Sequence, residues 1–172
     1  MSRRPLTWIA ATVLLSGLVH LGAVVGVPRG IMLVVRRATA AFPSRIIHSD
    51  VVTASSRLIV RPSPDLLYSL CRFDVSRRPL EVTAAVPDTY FSIAAYASNT
   101  DNFYVINDRE IDARRVTLVL VREGTPYAPR AGERVVPSPT DEGVVLFRTL
   151  ITDRARLDRL RALQRQADCR PL

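Results

Sequence analysis

An uncharged apolar run from Leu6 to Val27, LTWIAATVLLSGLVHLGAVVGV, limits what this chain can become more than any other stretch. As a helix its 22 residues rise about 33 Å, enough to cross a hydrocarbon layer of ~30 Å. Arg3 and Arg4 precede the run, and Trp8 lies where an aromatic anchor meets the bilayer interface. A cleavable signal peptide is the competing reading, but its apolar region would be shorter and a small-x-small site should follow. Here the run ends in Val-Gly-Val-Pro-Arg, a poor processing site. Residues 1–28 are therefore expected to be an uncleaved transmembrane signal-anchor. His20 is the one ionisable group inside the span; no carboxylate in the segment partners it, so a neutral, merely tolerated imidazole is expected.

Arginine falls on both sides of the run, Arg3 and Arg4 before it and Arg29, Arg36 and Arg37 after it, so the positive-inside count does not choose a side. Gly30 to Ala41 has too few apolar residues to span again. Residues 29–45 read as a short amphipathic juxtamembrane helix and linker, with arginines at headgroup level.

The chain carries 24 basic residues, every one arginine, against 16 acidic ones, a formal charge of +8. The complete absence of lysine reads as base composition of a GC-rich genome. Scattered Arg-Arg pairs with interleaved acids, and no zinc-knuckle, helix-turn-helix or RNA-recognition signature, argue for solvated surface and lipid headgroups; no nucleic-acid partner is expected.

After Pro43 the apolar period shortens to that of strands. Arg57–Arg61 is the first, ended by Pro62 and Pro64. Leu67–Val75 places Leu67, Ser69, Cys71, Phe73 and Val75 on one face; Leu80–Val86 follows a turn at Ser76-Arg77-Arg78-Pro79. Thr89–Ala97 alternates cleanly, and Phe103–Asn107 comes after a polar loop. Val116–Arg122 is apolar on both faces, as a covered central strand should be. A Gly/Pro-rich loop follows, with Arg134–Val136 pairing briefly, and Gly143–Ile151 is the last strand. Short strands divided by Pro, Gly and Asn/Asp turns predict a mainly β protein, with an antiparallel β-sandwich or jelly-roll-like domain over residues 46–151. Residues 152–172 are expected to be an amphipathic helix packing on the sheet, with Leu157, Leu160, Leu163 and Ala167 as its stripe.

The stretches Arg61-Pro-Ser-Pro-Asp-Leu-Leu-Tyr-Ser69, Phe73-Asp-Val-Ser76, Pro79-Leu-Glu-Val82, Val86-Pro-Asp-Thr-Tyr90 and Asn99-Thr-Asp-Asn-Phe103 resemble the bacterial family known as domain of unknown function 1254. Gly143-Val-Val-Leu-Phe-Arg-Thr149 extends the likeness, which covers most of the chain after the apolar run. The resemblance implies a β-rich fold, a membrane anchor and an envelope-facing domain. It also implies a companion, domain of unknown function 1214, fused or encoded next door, and no established reaction. Because this chain ends at Leu172, the companion is expected in trans.

The two cysteines, Cys71 and Cys169, are too far apart for a CxxC motif or a cysteine zinc site. In an oxidising compartment they are expected to form a disulfide pinning the C-terminal helix; two unpaired thiols are the alternative. His48 is the one histidine after the span, with no nucleophile elbow near it. No catalytic residue, metal site or cofactor is assigned. The candidate ligand site is Tyr68, Asp74, Tyr90, Tyr96, Asn99, Asp101, Asn102 and Tyr104, where tyrosines stack on sugar rings beside an oxygen-rich loop. The bland alternative is that these Asn and Asp side chains cap their own turns. The expected protein is a single-pass component of the bacterial inner membrane with a periplasmic sandwich. Its expected role is non-catalytic binding or assembly with a companion β-domain or an envelope ligand. A carbohydrate hydrolase using paired carboxylates is the rival.

Overall fold

A computed structural model describes residues 3–40, 46–53, 56 and 62–172. The expected strand at Arg57–Arg61 lies outside the described residues. The chain opens with one helix, α1 (Arg3–Ala40), which runs through Pro28 without a break. Two separate helical segments were expected there; instead residues 29–40 continue the same helix. The reason is packing. Met32 and Val35, one turn apart, seat on Val144, Leu70 and Tyr96 of a sheet face, and Arg36 pairs with Glu142. That contact takes up the short apolar stripe which a bilayer surface was expected to cover.

Among the described residues nine strands follow: β1 (Ile46–His48), β2 (Leu66–Asp74), β3 (Leu80–Ala85), β4 (Phe91–Ala97), β5 (Asn102–Asn107), β6 (Arg115–Arg122), β7 (Glu133–Ser138), β8 (Glu142–Leu150) and β9 (Asp168–Pro171). They form a five-stranded sheet in the order β1-β2-β8-β4-β5 and a four-stranded sheet in the order β7-β6-β3-β9. The sandwich and the alternation of β2 agree with the sequence pattern, whereas β4 is buried on both faces, Ser92 and Ala94 included. Leu67, Ser69, Cys71, Phe73 and Val75 are all buried, as are Phe91, Ile93 and Ala95. β6 contributes buried side chains from both faces, Val119 and Val121 as well as Leu118 and Leu120. Cys71, Phe73, Val75, Phe91, Ile93 and Ala95 join Leu118 and Leu120 in one core between the sheets.

Two features depart from expectation. The β6–β7 pair is parallel, whereas every other pair among the described residues is antiparallel. Residues 123–132 carry the chain back to the starting end of β6, and Gly124 (φ 78°) and Gly132 (φ 84°) supply the left-handed turns at the two ends of that return. The second departure is at the C-terminus, where the expected 21-residue helix is only α2 (Leu157–Gln164). Its stripe is partly right, since Leu160 is buried. The chain then turns through Gln166 and Ala167, whose N–H groups donate to the carbonyls of Leu163 and Gln164. It ends as β9, with Cys169 opposite Val82. An open β3 edge offers unsatisfied backbone groups, and pairing them outweighs further helical turns that would have little apolar surface to bury.

Cys71 of the first sheet and Cys169 of the second form a disulfide across the core, with a Cα–Cα distance of 6.5 Å. The expected pair is therefore joined, but it pins a strand and not a helix. Beside it, Arg170 Nε donates to Glu81 at 2.7 Å, which satisfies a carboxylate on an otherwise buried side chain.

Candidate functional site

Strands β4 and β8 lie in register from Phe91 opposite Thr149 to Ala97 opposite Gly143, so the sandwich has two distinct ends. α1 touches the Gly143 end. The other end carries the β3–β4 connection, the loop after β5 and the outer face of α2. These elements surround an open groove of about 1000 Å³. Asp88, Tyr90, Asp108, Asp112, Arg115 and Arg159 line it above an apolar base that includes Val86, Ile111 and Leu163.

Two of the groove's acidic groups, Asp88 and Asp108, already have partners. Asp88 sits between Arg156 and Arg159, at 3.7 and 3.8 Å. Asp108 Oδ1 accepts the Phe91 N–H at 3.2 Å, tying the loop after β5 to the start of β4. Asn107 starts that loop as a capping box with Glu110, whose carboxylate accepts from the Asn107 N–H at 3.1 Å. Tyr90 is 44% exposed, one of only two large apolar or aromatic side chains outside α1 that stand so open among the described residues. Paired charges, an accessible phenol and an apolar base suit binding of a polar, hydrogen-bonding surface, with the Arg–Asp pairs fixing its orientation.

The residues singled out from the sequence do not converge. Tyr90 alone enters this groove. Tyr68 and Tyr96 lie on the outer face of the five-stranded sheet, where the Tyr68 hydroxyl accepts the Ser63 N–H at 2.9 Å and the Tyr96 hydroxyl accepts from Arg148 Nη2 at 2.7 Å. Asp74 ends β2 at the opposite end and takes the Ser76 N–H at 3.0 Å. Tyr104 packs against the core on the flank; burial raises its pKa, and the neighbouring Arg134 partly offsets that. Asn99 and Asp101 bond each other, Asn99 Nδ2 donating to Asp101 Oδ2 at 2.5 Å and the Asp101 N–H returning to Asn99 Oδ1 at 3.2 Å. Asn102 Nδ2 reaches the Ala95 carbonyl at 3.4 Å, next to the bulge between Ala95 and Tyr96. Thr100 takes a positive φ of 72° between Asn99 and Asp101. In this loop the amide and carboxylate groups are engaged in building the turn.

A contact that sequence spacing could not show lies under β1. His48 Nδ1 is 2.9 Å from Ser69 Oγ, and Ser69 is only 2% exposed. Burial, followed by the charge of Arg165, lowers the His48 pKa below its usual 6.5. The imidazole is thus held neutral and can accept the hydroxyl proton. The internal cavity that Ser69 lines is about 10 Å³, too small for any substrate, so the pair is a structural hydrogen bond. Asp112, Arg115 and Arg159 of the groove carry no local signal in sequence; they become neighbours only when the loop after β5 folds toward α2.

No protein of curated function matches the chain. Two solved structures share its fold. The VPA0106 protein from Vibrio parahaemolyticus superposes with a TM-score of 0.65 at 12% identity over 84% of this chain. An uncharacterized protein from Burkholderia cenocepacia does so with a TM-score of 0.51 at 19% identity over 83%. The chain spans 35% of the first protein's length and 39% of the second's, so in both the sandwich is a minor part of a larger polypeptide. The family model described as "Protein of unknown function (DUF1254)" matches residues 43–171, the whole sandwich with α2 and β9, and this chain belongs to that family.

Proposed function

We propose that the chain is a membrane-tethered, non-catalytic binding module of the bacterial envelope. On this reading α1 crosses the inner membrane once and the sandwich, in the periplasm, works with a companion β-domain. One observation carries it. Among the described residues, the exposed large hydrophobic side chains are all on α1 except Tyr90 and Val105. They run from Leu6 to Val34 along a helix long and apolar enough to span a bilayer. An apolar surface of that extent requires a nonaqueous partner. The last turns of the same helix are fixed to the sandwich through Met32, Val35 and Arg36. This favours a retained anchor over a leader that is discarded.

The companion is supported by the solved structures, in which this sandwich accompanies much additional chain. The groove around Tyr90 is the surface offered to it, since it lies at the end of β4 and β8 that α1 leaves free. Alkaline carbonate extraction tests the tether: the chain should stay in the membrane pellet at full length, and a shortened soluble form would refute the anchor. Co-purification with a companion of the 1214 type from detergent extracts tests the groove. Tyr90→Ala combined with Arg115→Glu should reduce recovery of the companion at least about tenfold, and unchanged recovery would place the docking surface elsewhere.

A further inference from the structure

A second groove, of about 510 Å³, lies where the anchor meets the sandwich. Leu33, Arg36 and Arg37 of α1 line one side, and Arg72, Asp74 and Glu142 of β2 and β8 line the other. Both carboxylates are engaged: Glu142 pairs with Arg36, and Asp74 accepts from the Ser76 N–H and hydroxyl. Arg37 therefore adds an exposed positive charge beside the Arg36–Glu142 pair at the edge of a concave site. Arg37 is exposed and forms no ion pair among the described residues.

The axial position of Arg37 fits a bilayer surface. Ten residues beyond Val27 carry its Cα about 15 Å past the end of the apolar run. Helical side chains lean toward the N-terminus, here toward the membrane, so an arginine reach of roughly 6 Å returns the guanidinium to about 9 Å. The headgroup layer is ~5–8 Å thick, and a modest helix tilt closes the difference. Ile31, Leu33 and Val34 stay exposed between the two levels, giving an acyl chain continuous apolar contact up to the groove. Guanidinium forks match phosphate oxygens in geometry and charge.

We propose that this groove binds the phosphate of an anionic phospholipid headgroup, Arg37 making the principal contact beside an Arg36 held in place by Glu142. The site rests on the tethered reading above and adds to it a lipid-selective seat that fixes the sandwich against the bilayer. The shared chemistry, a phosphate, could also come from solution, but Leu33 at the groove's edge favours a ligand with a tail.

Native mass spectrometry of the full chain, stripped of lipid in detergent and titrated with phosphatidylglycerol or phosphatidylcholine, tests the proposal. Phosphatidylglycerol should be retained about five- to tenfold better than phosphatidylcholine, the advantage of one unscreened arginine contact. Arg37→Gln should erase the difference, whereas Arg109→Gln, the same charge change on an exposed residue at the other end of the sandwich, should keep it. Equal retention of the two lipids by the native chain, or an undiminished preference in a folded Arg37→Gln variant, would overturn the site. Displacement of phosphatidylglycerol by millimolar inorganic phosphate would overturn the lipid assignment in favour of a free anion. Carbonate extraction reports the tether independently, so failure of the lipid site and failure of the anchor give different results.

Discussion

Reducing the Cys71–Cys169 disulfide should remove a large part of the sandwich's stability. The bond closes a loop of 98 residues, and in the chain-entropy account a loop of that length restricts the unfolded ensemble by about 4.7 kcal/mol at 25 °C. Domains of this size are stable by only ~5–15 kcal/mol, so the expected loss brings the fold near its threshold. It is also a loss that the remaining contacts of β9 do little to offset. Among the described residues this four-residue strand pairs with β3 alone. The measurement is urea unfolding of the full chain in mild detergent, oxidised and reduced, followed by far-ultraviolet circular dichroism. Trp8, the one tryptophan, lies in α1 and would not report on the sandwich. With a urea slope of ~2 kcal/mol per molar, the midpoint should fall by about 2 M on reduction. A double Cys71→Ala, Cys169→Ala variant should fall slightly further, because Cys71 is fully buried and its truncation leaves a void. A shift below about 0.5 M in both comparisons would show that the crosslink does not constrain the unfolded chain, and the loop argument would fail.

Two other perturbations test the packing at opposite sides of the fold. Gly143 faces the Tyr96 carbonyl and the Phe73 ring so closely that an added Cβ would lie 2.5 Å from Phe73 Cζ; Gly143→Ala should therefore cost about 1–3 kcal/mol in thermal or urea melts, and a neutral result would mean β8 can shift freely against β2. His48, with its pKa held below 6.5, keeps its stabilising neutral form above that value, and stability should decline as pH falls from about 6.5 toward the depressed folded-state value, where the unfolded chain binds the extra proton. His48→Gln should flatten the curve across that window, and Asp50, whose lowered pKa acts below 3.8, would not mask the effect.

Much of the architecture was legible from one-dimensional pattern because burial on a pleated sheet repeats every two residues. β2 could be divided face by face, and β6, apolar on both sides, was recognisable as a covered strand. Turns were legible for the same local reason: Asn99, Asp101 and Asn102 bond within a few residues of themselves, and their side chains satisfy the loop that separates β4 from β5. Tyr68, Asp74, Tyr96 and Tyr104 lie apart from them on different faces and ends, since β8 separates β2 from β4 and proximity in sequence does not carry across the sheet. The parallel placement of β7 had no signal at all, because Arg134–Val136 pairs equally well in either direction and the return loop decides.

By itself, then, the sequence determined that an apolar helix precedes a strand-built body, which residues point inward, and where the chain must turn, for each of these depends on side chains within one turn or one pleat. Tertiary structure alone decided that Ala167 and Cys169 leave the last helix for the β3 edge and that Met32 and Val35 rest on a sheet instead of lipid. It alone assembled Asp112, Arg115 and Arg159 beside Tyr90. Those outcomes depend on which distant backbone edge or apolar face is left uncovered once the sheets have closed, and no local stretch of sequence contains that information.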